Sequence, residues 1–123
     1  MSKYQFFNIN PLDKIEEDCV CRAISGALNE CYYNIQRKLE LVGDLFDCEM
    51  LCVCCYKFLL DEVYGLERIE EFSGMTIADF LEIQPYGTYI IRCDGHLTHA
   101  KDGVLLDTWD CSNMEIRIIW VVR

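Results

Sequence analysis

The chain is short of positive charge. Eleven lysines and arginines stand against 21 acidic residues, for a formal net charge of −10. No basic cluster interrupts that balance, so a nucleic acid is excluded as the expected partner. The acidity itself is read as a solubility feature. Long apolar runs are also missing. Nothing approaches the roughly 18 uninterrupted apolar residues of a membrane-crossing helix, and residues 1–10 hold no run of the kind a secretion signal requires. No membrane partner is expected. Histidine is rare, with only His96 and His99. Repeats, low-complexity tracts and linkers are absent, so the 123 residues read as one domain, 1–123.

Cysteine, by contrast, is plentiful, with nine residues at 19, 21, 31, 48, 52, 54, 55, 93 and 111. The count is odd, and most sit at positions that look buried, where Cys acts as a small hydrophobe. The expectation is a reduced, cytoplasmic protein and not a disulfide scaffold. Cys48, Cys52 and Cys55 recur on one helical face with Cys54 adjacent, a spacing that a zinc site can use. Leu51, Phe58 and Leu59 share that face, which favours core cysteines, and no metal is assigned. Cys31, Cys93 and Cys111 are taken as structural.

Apolar spacing divides the chain into helices first and strands afterwards, an α+β architecture. Residues 1–17 lack a helical period and are expected to lie on the body as an extended arm. Helices are predicted over about 19–29, 32–46 and 49–64, the third apolar nearly all round and therefore central. Residues 66–74 read as a connection. Thr76-Ile77-Ala78-Asp79 has the form of a capping box and opens a short helix to about Ile83. From Thr88 the period becomes two. Asp94-Gly95 and Asp102-Gly103 are hairpin turns. Strands are expected at 88–93, 96–101, 104–109 and 115–122, together an antiparallel meander.

Those turns fix a register. Cys93 pairs with His96, Lys101 with Val104, and Thr98 with Asp107. His96 then shares a face with Asp107 and Trp109, whereas His99 pairs with Leu106 on the other face. At the far end of the chain, Asp18 is a good N-cap, and Cys19 takes the first helical position. Free N–H groups and the helix dipole favour a thiolate there. Cys19, His96 and Asp107 therefore make a nucleophile–base–orienter set. The Cys19 N–H offers one oxyanion donor, and Asn10, or failing it Asn8, is the candidate for a second. Trp109 is placed as a shield and substrate contact. Arg22 is expected to pair with an acid such as Asp18, and Cys21 is a competing thiol.

The combination Asn10-Pro11, Asp18-Cys19-Val20 with Arg22-Ala23, Gly87-Thr88-Tyr89-Ile90, Gly95-His96-Leu97-Thr98, Asp102-Gly103-Val104 and Asp107-Thr108-Trp109-Asp110 resembles the small papain-like cysteine peptidases of bacteria and bacteriophages. The resemblance covers nearly the whole chain in order, although residues 30–75 match only in general character. It implies a papain-like fold, with the cysteine on a leading helix against a sheet bearing His and Asp. It further implies peptidase or amidase activity on a peptide or protein substrate, with no cofactor. Cys21 and His99 depart from the pattern. Two other functions stay open: a non-catalytic papain-like binding or phage structural module, and a Cys-rich zinc-binding regulator.

Overall fold

The computed structural model describes residues 3–123. It is an α+β protein built on one six-stranded sheet. The strands are β1 (Tyr4–Phe6), β2 (Glu67–Ile69), β3 (Thr88–Cys93), β4 (His96–Lys101), β5 (Val104–Asp107) and β6 (Ile118–Val122). The helices are α1 (Cys19–Leu28), α2 (Tyr32–Phe46), α3 (Val53–Phe58), which runs into a π-helical turn (Leu59–Val63), and α4 (Ile77–Ile83). No helix among the described residues is long and apolar enough to cross a membrane.

The two hairpins form in the register that their turns dictate, with Cys93 opposite His96, Lys101 opposite Val104 and His99 opposite Leu106. The sheet is nevertheless more than a meander. Its order is β1-β5-β4-β3-β6-β2. After β5 the chain crosses over and returns as β6 beside β3. The supposed arm contributes β1, which pairs in parallel with β5. The supposed connection contributes β2, antiparallel to β6. Both added strands are three residues long, too short for a period to show in sequence.

Period two explains why both faces of the sheet are buried. On β3, Ile90 points to the layer formed by α1, α2 and α3, and Ile91 points to α4. On β4, Leu97 joins the first cluster and Ala100 the second. The central helix is α1, and not α3 as its all-round apolarity suggested. Eight of the ten α1 residues are buried, among them Arg22 and Ser25. The third helix is shorter than expected, because residues 49–52 are turns, and Cys54 and Val63 stay exposed. Thr76 does cap α4, its Oγ1 accepting the Asp79 N–H at 3.2 Å.

His99 is the histidine that faces α1. A β-carbon at Gly26 would lie 2.5 Å from its ring, so glycine there lets the helix close onto the sheet. The ring is 2 % exposed and packs edge-on against Phe7, and its Nε2 has no hydrogen-bond partner among the described residues. Burial, helped by the charge of Lys101, pushes its pKa down to about 4.

Gly26→Ala should therefore destabilise the protein by about 1–3 kcal/mol in urea unfolding, although alanine is the better helix former. A more stable variant would refute the close approach. His99 is neutral when folded and titrates near 6.5 when unfolded, so the unfolded state binds the extra proton. Stability held above pH 6.5 should fall by roughly 3 kcal/mol between pH 6.5 and 4, and His99→Leu should flatten that slope.

Candidate active site

Cys19 opens α1 and His96 opens β4, and the two meet at the end of the sheet. The alternation along β4 sends Leu97 and His99 to the α1 side and His96 to the other. His96 still reaches the thiol because both residues stand at the first position of their elements, where the sheet stops. Its Nε2 lies 2.7 Å from Asp107 Oδ2, which leaves Nδ1 for the cleft. Cys19 lines the same cleft as His96 and Leu97. Burial opposes ionisation of this thiol, but its interactions with His96 and the Leu97 backbone and the charges of His96 and Arg22 outweigh it, and its pKa falls. On His96, burial is overcome by the bonds to Asp107, Cys111 and Cys19, which raise its pKa to about 11. The arrangement favours a thiolate–imidazolium pair.

Asp107 is buried, and burial alone would favour its neutral form. Bonds from His96 and Arg22 and the nearby Thr98 hydroxyl reverse that and hold its carboxyl well below the usual range. Its Oδ1 accepts Arg22 Nη1 at 2.9 Å and the Thr108 N–H at 2.6 Å. The β4–β5 ladder ends at His99–Leu106, one step short of Asp107, and Arg22 reaches the carboxylate from α1 at that point.

Arg22 does pair with Asp18, Nε to Oδ1 at 2.6 Å, and it spans to Asp107 as well. The spanning role was not legible, since it joins residues 85 apart in sequence. Asp18 occupies the N-cap position without capping through its side chain. Its carboxylate instead accepts Arg22, the Tyr32 hydroxyl at 2.7 Å and Asn10 Nδ2 at 2.9 Å. The Asp18 side chain thus leaves the first-turn N–H groups beside Cys19 uncapped.

Asn10 does not supply an oxyanion donor in this geometry. Its amide nitrogen donates to both Glu16 and Asp18, which uses both protons, and its Oδ1 accepts the Leu12 N–H. Asn8 donates one amide proton to the Lys14 carbonyl and accepts the Asn10 N–H, and it does not line the cleft. The loop's own turns claim both amides. Cys21 is buried, and its pKa is pushed up to about 12 by that burial and by Asp18, which makes it a poor competitor for the nucleophile's place.

A cleft of about 580 Å³ opens over the site. Cys19, His96, Leu97 and Trp109 line it together with Glu49, Leu51, Val53 and Tyr56. Trp109 is 46 % exposed, and its ring centre lies 5.1 Å from that of His96. Cys111, taken as structural, sits with its Sγ 3.5 Å from Asp107 Oδ2. His96, Asp107 and Cys111 are also close enough together to ligate a metal, as are Cys48, Cys54 and Cys55. Of the helix-face set expected in the core, Cys55 alone is buried, while Cys52 and the adjacent Cys54 are exposed.

No protein-family model matches the chain, and no curated protein or solved structure matches it either.

Replacing Arg22 by Leu should cost about 3–5 kcal/mol, because it strands two buried carboxylates. Both carboxylates have folded pKa values below their unfolded ones, so their pairing stabilises at neutral pH and is lost on acidification. The gap between parent and variant in denaturant midpoints should accordingly narrow below about pH 4. A gap independent of pH would mean that Arg22 acts by packing alone.

Proposed function

We propose that this chain is a papain-like cysteine peptidase or amidase that works by acyl transfer through Cys19. One juxtaposition carries the proposal: the thiol at the head of α1 and the His96 ring line the same cleft and shift each other toward their charged forms, and Asp107 holds His96 Nε2. The order of Cys, His and Asp along the chain, and their placement on a leading helix and two adjacent strands, fit the resemblance drawn from the sequence.

In this mechanism the Cys19 thiolate attacks the carbonyl carbon of a peptide or amide in the cleft. The uncapped N–H groups of the first α1 turn face the developing oxyanion, and one such donor is worth about 2.7–4 kcal/mol. Protonated His96 gives its proton to the leaving amine, and the C–N bond breaks to leave a thioester. Water then attacks the thioester. His96 takes the water's proton, the acid departs, and the thiolate returns. Asp107 holds the ring in place throughout, with Arg22 fixing the carboxylate. Trp109 covers the His96–Asp107 bond and contacts the substrate.

A non-catalytic papain-like binding module is the alternative. One observation favours it: no Asn or Gln side chain lines the cleft, so no amide stands ready as a second oxyanion donor.

Limiting iodoacetamide, applied over a pH series and read by peptide mass, separates the two. Near pH 6 Cys19 should be alkylated first. His96→Ala should slow that reaction on the order of 10²-fold, the ratio between an ionised thiol and one of ordinary pKa, about 8.5. The difference should shrink toward pH 9 as an unassisted thiol ionises by itself. Labelling of Cys19 at the same rate with and without His96 would leave the binding module.

A further inference from the structure

We propose that Cys48, Cys52, Cys54 and Cys55 bind one zinc ion, which fastens the turn between α2 and α3 that walls the cleft. The sulfurs already converge. Cys48 Sγ lies 3.1 Å from both Cys54 Sγ and Cys55 Sγ, and Cys54 Sγ lies 3.3 Å from Cys52 Sγ. Packing does not account for this. Cysteines used as small hydrophobes are buried, yet Cys52 and Cys54 are exposed and Cys48 is half-buried. A single disulfide does not account for it either. Cys48 stands equally close to two partners and Cys54 to two, which is a shared node and not a pair.

The backbone builds this node. Gly43 lets the chain fold back, since a β-carbon there would meet the Cys48 carbonyl at 2.8 Å. The Cys52 N–H then bonds to Glu49 O, and the Cys55 N–H to Cys52 O, winding residues 48–55 around one point. A zinc–sulfur bond of about 2.3 Å sets the edges of a tetrahedron at about 3.8 Å. The sulfurs need to part by only about 0.5–0.7 Å, with Cys52 swinging in as the fourth ligand. An all-sulfur set selects a soft ion over magnesium or calcium. Binding releases the proton of each thiol still protonated, forms four Zn–S bonds, and needs no oxidant or reductant.

The node has a place in the cleft. Glu49, Leu51 and Val53 line it and are chain neighbours of the four ligands. A bound ion would hold that part of the cleft lining rigid. The inference does not depend on Cys19 being a nucleophile.

The test is a cobalt(II) titration of the full-length, reduced protein, followed by visible absorption. One equivalent should develop the thiolate-to-cobalt charge-transfer band and the intense red-region bands of a tetrahedral site, and one equivalent of zinc should erase them. Cys52→Ser and Cys54→Ser, both at exposed positions, should each weaken binding at least about tenfold while leaving the circular dichroism unchanged. Cys19→Ala and Cys111→Ser should leave the titration as it is, whereas Cys19→Ala removes the Cys19 alkylation signal and any activity through that thiol. Three outcomes would overturn the proposal. They are no absorption at stoichiometric cobalt, binding in Cys52→Ser or Cys54→Ser as tight as in the parent, and loss of binding in Cys111→Ser, which would move the ion to the His96–Asp107–Cys111 set.

Discussion

One buried carboxylate holds the two halves of this molecule in register. Asp107 lies at the end of β5, takes Arg22 from the leading helix and His96 from β4, and passes its backbone carbonyl to the Phe7 N–H of the N-terminal segment. A carboxylate this deeply buried is unfavourable unless every oxygen is met by a donor. The donors come from different parts of the chain, so meeting that demand also docks α1 on the sheet. The network continues outward through Arg22 to Asp18, and from Asp18 to Tyr32 and Asn10. The position of the Cys19 sulfur is thereby fixed by the same bonds that stabilise the core.

That economy has a consequence for the thiol. Asp18 has the right residue type and position to cap α1, and capping would contribute about 1 kcal/mol. Its carboxylate is instead turned inward to Arg22, where it helps satisfy a buried guanidinium. The helix start is left without a side-chain cap from Asp18. A local rule of helix formation gives way at the one place where open donors beside a cysteine are chemically useful.

Much of the architecture was legible. The hairpin residues Asp94-Gly95 and Asp102-Gly103 set the pairing of β3, β4 and β5, and parity alone brought His96 to Asp107 and sent His99 to the other face. The α2 spacing of Tyr32, Ile35, Leu39, Val42 and Phe46 gave that helix its bounds, although Phe46 itself is exposed. The edges β1 and β2 were hidden because three residues carry no period, and their strand character comes from the neighbours they pair with. Helix centrality was misjudged for a related reason. Residues 49–64 look apolar all round, but turns at 49–52 consume the first part and leave Cys52 and Cys54 in solvent, whereas α1 is buried because Gly26 and Ala23 let it lie close to β4.

By itself the sequence determined what depends on neighbours within a turn or a hairpin: helix faces, strand parity, the thiol at a helix start, and which histidine could share a face with an aspartate. Such features follow from backbone geometry over a few residues, and long-range contacts need not be known to find them. Only the tertiary structure decided which donors the buried charges would take. It tied Arg22 to Asp107 as well as to Asp18, drew the Asn10 amide away from the cleft, set Cys111 beside the His96–Asp107 pair, and gathered four sulfurs at one turn. Hydrogen bonds and ion pairs are short-ranged and directional, so their partners are chosen by folding in three dimensions and not by separation along the chain.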